Sequence, residues 1–177
     1  MFGRIFLIAA MALAVATPAV AQQRGTVELG GFASHTSFDN SLGVDDSFGG
    51  GARVGAFIFP RLSVEVEGGG SHAGRTFGRQ DINIGILAAR VTGVPFKIGP
   101  LSALLGAGLG HTDNHLLETG GEPGEGTAHG QSYGFHGLVG AKLALTDNLA
   151  LRADWIETFA SNEGDRNRGL HLGVSVY

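Results

Sequence analysis

The feature that most constrains this chain is a period of two. Past residue 24, apolar residues alternate with small or polar ones in eight separate stretches, the pattern of strands with one apolar face. Val27, Leu29, Gly31 and Ala33 alternate with Thr26, Glu28, Gly30 and Ser34; Val54, Ala56 and Ile58 with Arg53, Gly55 and Phe57; Leu62, Val64 and Val66 with Ser63, Glu65 and Glu67. The fourth stretch places Ile82, Ile84, Ile86 and Ala88 against Asn83 and Gly85, and the fifth Leu101 to Leu109 against Ser102, Gly106 and Gly108. Tyr133 to Leu143, Leu149 to Trp155 and Leu170 to Val176 complete the set. Most stretches are about 10 residues long, the length a tilted strand needs to cross a bilayer.

The connections separate by length. Those after strands two, four and six are short: Phe59-Pro60-Arg61, Gly93 to Gly99, and Thr146-Asp147-Asn148. Those after strands one, three, five and seven are longer and polar: 39–47, 72–80, 112–130 and 160–167. Short turns at one end and long loops at the other are the expected arrangement of outer-membrane barrels. The fold expected is therefore an all-β, eight-stranded antiparallel up-and-down transmembrane barrel.

Membrane crossing inverts the usual reading of the alternation. Glu28, Arg53, Glu65, Glu67, Lys142, Arg152 and Asp154 all alternate with apolar neighbours, so a barrel in lipid turns them into its lumen. An eight-stranded lumen is about wide enough for side chains to fill. The charges are therefore expected to pair as a buried network, because isolated ones are costly there. A narrow solute path is the alternative. Arg90 breaks the pattern, sharing the phase of Ile84 and Ile86; a snorkelling side chain or a bulge is the expected resolution. Tyr133, Phe135, Trp155 and Tyr177, with Phe57 and Phe59, are candidates for interfacial aromatic girdles.

The N-terminus fits export. Arg4 precedes the apolar run Ile5 to Ala16, and Ala19-Val20-Ala21 ends the segment in small residues. This pattern describes a signal peptide, 1–21, cut after Ala21, leaving 22–177 as a single barrel domain. Of the chain's 12 basic residues only Arg4 falls in the leader, so 11 basic face 16 acidic residues beyond it. That negative balance argues against nucleic acid as a partner. Cysteine is absent, which excludes disulfides and Cys-ligated zinc. Gly106-Ala107-Gly108-Leu109-Gly110 lacks the spacing of a dinucleotide loop, and no cofactor is expected.

Two constellations remain. His111 and His115 bracket Thr112-Asp113-Asn114, with His129 in the same predicted loop. Imidazoles can ligate zinc or copper, but His-x3-His shares a face only on a helix, and this loop holds Gly and Pro. Solvated loop histidines are the expected reading. His35-Thr36-Ser37, with Asp39 just beyond, places a base and a hydroxyl on one strand face, the minimum for nucleophilic catalysis.

Three stretches carry a family resemblance: Pro60-Arg61-Leu62-Ser63-Val64-Glu65-Val66-Glu67-Gly68, Gly99-Pro100 through Gly110, and the hairpin Gly137 to Trp155 with Leu145-Thr146-Asp147-Asn148-Leu149-Ala150-Leu151-Arg152. With them the chain resembles the outer-membrane β-barrel domain family of small OmpA-like and opacity-type proteins. The resemblance spans essentially all of 22–177. It implies residence in the outer membrane, contact with outer-membrane lipids, periplasmic chaperones and the barrel-assembly machinery, and a monomeric barrel. It implies function through external loops that meet host or cell surfaces, and no catalytic residues transfer with it. Tyr177 supplies the terminal aromatic read as an assembly signal, although Ser175 stands where a large apolar residue is usual. The lipid A deacylases, also eight-stranded barrels, use a His-x-Ser pair similar to His35 and Ser37, but theirs lies late in the chain and is followed by Asn-rich residues missing here.

Overall fold

The computed structural model describes residues 24–38, 46–74, 81–117, 129–160 and 166–177. Eight long strands build one closed wall: β1 (Val27–Ser37), β2 (Ser47–Phe59), β3 (Leu62–Gly74), β4 (Asp81–Gly93), β6 (Leu101–Leu117), β7 (His129–Ala144), β8 (Leu149–Ala160) and β9 (Arg166–Val176). The two-residue β5 (Lys97–Ile98) only edges the start of β6. Each long strand pairs antiparallel with its sequence neighbours, and β1 pairs with β9. Among the described residues the eight long strands form a closed circuit with no open edge between them, which is what a β-structure in hydrocarbon requires.

Local chemistry sets the turns. Pro60 and Arg61 reverse the chain between β2 and β3, where proline's missing N–H costs nothing. Gly99 takes φ +56° before β6, a conformation that glycine adopts without strain. Between β7 and β8 the Thr146 hydroxyl accepts hydrogen bonds from the backbone N–H of Asn148 and Leu149. The opposite ends of the strands run further than the sequence suggested. Residues 47, 72–74, 112–117, 129–130, 160 and 166–167, expected in loops, are strand. Apart from Asp46, the rest of the expected long loops, 39–45, 75–80, 118–128 and 161–165, lies outside the described residues, as do Asp39 and the leader.

The wall is apolar outside and charged within. Leu29, Leu109, Phe135, Val139 and Leu172 are exposed on the outer face, where lipid tails replace water as the solvent. Tyr133, Trp155 and Phe59 are also on that face. Phe57 is not: it is buried in the lumen, 6.3 Å from the ring of Tyr177.

The largest departure concerns β4. Ile84, Ala88 and Arg90 are all buried inside, while Leu87 and Val91 face out. The register of β4 against β3 and β6 runs unbroken from Asp81 to Gly93, so no bulge intervenes at Arg90. Arg90 neither snorkels nor shifts. Ile84 and Ile86 are inside because the lumen carries an apolar patch there, with Ala73 and Ile84 packed against Phe38 and Ile86.

Candidate functional site: the lumen network

All seven charged residues expected in the lumen are there, each no more than 4% exposed, and Arg90 joins them. Among the described residues, Glu28, Glu65, Glu67 and Asp154 therefore meet Arg53, Arg90, Lys142 and Arg152, four charges of each sign. Balance of this kind is what makes burial tolerable, because an uncompensated buried charge costs several kcal/mol.

Six of these residues close into a ring of alternating sign. Arg152 grips Glu65 with two nitrogens, both at 3.0 Å, and its Nε donates to Asp154 at 2.8 Å. Asp154 receives Arg53 at 2.5 Å. Arg53 lies 3.8 Å from Glu67, Glu67 accepts from Arg90, and Arg90 returns to Glu65 at 3.4 Å. Strands β2, β3, β4 and β8 are thus cross-tied through the middle of the barrel. Arginine suits the role, since its planar fork engages a carboxylate in two places and stays charged at any working pH.

Below the ring, toward the short turns, Lys142 donates to Glu28 at 2.6 Å, and Arg152 lies 3.6 Å from the same carboxylate. The Lys142 ammonium also sits over two rings, 5.7 Å from Phe57 and 5.3 Å from Tyr177, within cation–π range. Tyr177, read from the sequence as an assembly signal, is thus part of the lumen floor. Val94, Leu104, Leu138 and Ile156 form an apolar cluster in the interior.

Above the ring, His171 stacks on Phe32 with centroids 4.5 Å apart and brings Nδ1 within 3.3 Å of Glu67. Two adjoining hollows of about 20 and 40 Å³ open beside it. Glu67 and His171 border both hollows, His136 the larger one, and Ile86 and Thr36 form part of their walls. Each hollow is water-sized rather than ligand-sized.

Glycine makes room for the large side chains. A Cβ on Gly110 would lie 1.9 Å from His136 Nε2, and one on Gly51 would lie 2.6 Å from the Phe32 ring. His136, His171, Phe32 and Arg90 were not assigned to the lumen from the sequence. A signal for Arg90 was present: Thr92 shares its phase, whereas Leu87, Ala89 and Val91 form the uniformly apolar one.

A closed eight-stranded wall, apolar outside and ion-paired within, is the architecture of a bacterial outer-membrane barrel, and the sequence matches the family model described as outer membrane protein beta-barrel domain over residues 5–177. The chain belongs to that family. Solved structures of small outer-membrane barrels share the fold. Neisserial surface protein A aligns with a TM-score of 0.68 at 20% identity, covering 85% of this chain and 96% of its own. The N-terminal barrel domain of Pseudomonas aeruginosa OprF gives 0.60 at 16%, covering 86% and 99%. The attachment invasion locus protein Ail of Yersinia pestis gives 0.58 at 12%, covering 87% and 99%. No curated protein matches the chain. Membership places this barrel in the outer membrane.

The other sequence candidates separate. His35 and Ser37 lie in the outward phase of β1 and no hydrogen bond joins them among the described residues; His35 Nε2 instead lies 3.7 Å from Asp46. His111, in β6, packs its ring against Tyr133 at 4.7 Å. His115 and His129 are strand residues, paired opposite each other in the register of β6 and β7.

Proposed function

We propose that this outer-membrane barrel is a non-enzymatic scaffold whose external loops, within 39–47, 72–80, 112–130 and 160–167, recognise a host or cell-surface ligand. The observation that carries the reading is the ion-paired ring, which fills the lumen with Arg152, Glu65, Arg90, Glu67, Arg53 and Asp154. A lumen so occupied leaves little through-path for solute, and loops on a rigid wall are where binding residues concentrate. One barrel of this shape bears the name attachment invasion locus protein, and was also solved with the heparin analogue sucrose octasulfate. The chain reaches its place as a secreted monomer, cleaved after Ala21 and inserted by the barrel-assembly machinery with periplasmic chaperones.

The test replaces residues 118–128 by a short glycine–serine link and measures attachment of cells displaying the protein to host-cell monolayers. Attachment falls while the unboiled, faster-migrating gel band persists. Undiminished attachment after each of the four loops is replaced in turn sinks the recognition role, and step currents in planar bilayers sink the sealed scaffold.

A second reading rests on one contact. Asp46 beside His35, with Ser37 in the same outward phase, places an acid, a base and a hydroxyl near one another on the lipid-facing side. An ester hydrolase acting on lipid A would use them in those roles. Lipid A from cells expressing the protein would then lose an acyl chain, and Ser37→Ala would restore it. Identical lipid A with and without the protein removes this reading.

A further inference from the structure

We propose that the short-turn rim of this barrel, over the sector from β1 to β6, binds the headgroups of anionic phospholipid in the inner leaflet of the outer membrane. Charge is sorted along the barrel axis. The long external connections, 39–47, 72–80, 112–130 and 160–167, hold nine acidic residues against three basic ones. In the lumen the described charges balance, four against four. At the short-turn rim the sign reverses. Arg24, Arg61 and Lys97 stand there against one described acidic side chain, Asp147, and all four are exposed.

The three cations are neighbours around one part of the rim. Gly25, next to Arg24, donates its N–H to the Phe57 carbonyl at 2.7 Å, which sets Arg24 beside the end of β2. Arg61 follows in the turn to β3, and its carbonyl accepts from the N–H of Val94 at 2.9 Å, three residues before Lys97. Asp147 lies apart, in the turn between β7 and β8. Among the described residues none of the three cations has an ion-pair partner. Guanidinium groups make strong charge-assisted contacts with phosphate oxygens, and basic residues at a membrane surface attract anionic lipid.

The apolar residues beside these cations point to a lipid rather than a soluble anion. β5 adds a two-residue step at the foot of β6, with Ile98 opposite the outward-facing Leu101. Phe96 is tied to the same strand through its carbonyl, which accepts from the N–H of Ala103 at 2.9 Å. Ile98 is 78% exposed, Phe96 68%, and Phe59, beside Pro60 and Arg61, 58%. Exposed apolar groups interleaved with cations suit the boundary between acyl chains and headgroups. Lys97 takes the alternate phase, opposite Ser102, and its flexible four-carbon stem carries the ammonium to the headgroup level.

The test uses the full barrel reconstituted in phosphatidylcholine vesicles with a trace of spin-labelled phosphatidylglycerol or spin-labelled phosphatidylcholine. The motionally restricted fraction of each label gives its relative affinity for the barrel. Phosphatidylglycerol is preferred about threefold or more at low salt, and about 1 M NaCl, with a Debye length of about 3 Å, largely removes the preference. Arg24→Gln, Arg61→Gln and Lys97→Gln combined abolish it, whereas Arg168→Gln at the external end leaves it unchanged. The unboiled, faster-migrating gel band shows that each variant is folded. Equal affinity of the unmodified barrel for the two labels overturns the proposal. So does a preference that survives the triple substitution, or one lost through Arg168→Gln. Inorganic phosphate that removes the preference where chloride of equal ionic strength does not would make the rim a free-phosphate site, and overturns it too.

Discussion

Arg152 and Glu65 stand 87 residues apart in the chain and meet across the lumen through two parallel contacts, Nη1 to Oε1 and Nη2 to Oε2, each 3.0 Å long. The same guanidinium reaches Asp154 at 2.8 Å, and the same carboxylate receives Arg90 at 3.4 Å. One residue pair therefore couples four charges, and deleting either member removes the tie that joins Asp154 to Arg90 across the lumen.

Glu65→Ala is expected to be the most damaging of the lumen truncations. It leaves Arg152 and Arg90 without a shared anion, and breaking a buried ion pair costs about 3–5 kcal/mol. Lys142→Met is milder, because Glu28 keeps Arg152 at 3.6 Å after the lysine is gone. Urea unfolding of the barrel in detergent, followed by Trp155 fluorescence, checks the ranking. A Lys142→Met loss equal to that of Glu65→Ala contradicts the ring as the dominant tie.

His136 owes its place to a missing side chain on the next strand. Its ring covers Gly110, where a Cβ would come within 1.9 Å of Nε2. Gly110→Ala should destabilise the barrel by about 1–3 kcal/mol, the usual range for overpacking. His136→Ala placed in the same chain should recover part of that loss, because the clash goes with the ring. Strictly additive losses would mean that the two positions do not compete for one space.

The strand pattern, the loop sorting and seven of the eight lumen charges were legible in the sequence, because alternation is a backbone property and charge marks one phase of it. β4 was misread for a physical reason. Both of its phases are apolar: Ile84, Ile86 and Ala88 line the lumen, while Leu87, Ala89 and Val91 meet lipid. Period two then gives no sign, and only Arg90 and Thr92 mark the inside. His136 and His171 escaped notice because a neutral imidazole fits either face. The opposition of His115 and His129 depends on register, which no single strand reveals.

The corrected phase of β4 is directly measurable, since the chain has no native cysteine. Single cysteines introduced in turn at positions 86 to 91 and spin-labelled should show oxygen collision rates peaking at 87, 89 and 91, where dissolved oxygen partitions into lipid. Positions 86, 88 and 90 should read low. The reverse alternation would return Ile86 and Arg90 to the lipid face.

Depth should grade the cost of charge on the outer wall. Leu172, exposed on the outside in the middle of β9, pairs with Ala33 and Ala153 and has no polar neighbour in its row. Phe59, equally exposed, ends β2 beside the turn at Pro60. An arginine at the bilayer midplane of a barrel costs about 2–4 kcal/mol and one near the interface about 0–1. Leu172→Arg should therefore lower the unfolding midpoint in lipid vesicles strongly and Phe59→Arg hardly at all. In a soluble sandwich the exposed face meets water, and both substitutions would be nearly neutral. Equal, small effects at the two sites would thus count against a lipid-facing wall, whereas a steep difference ties the exposed apolar phase to the hydrocarbon layer.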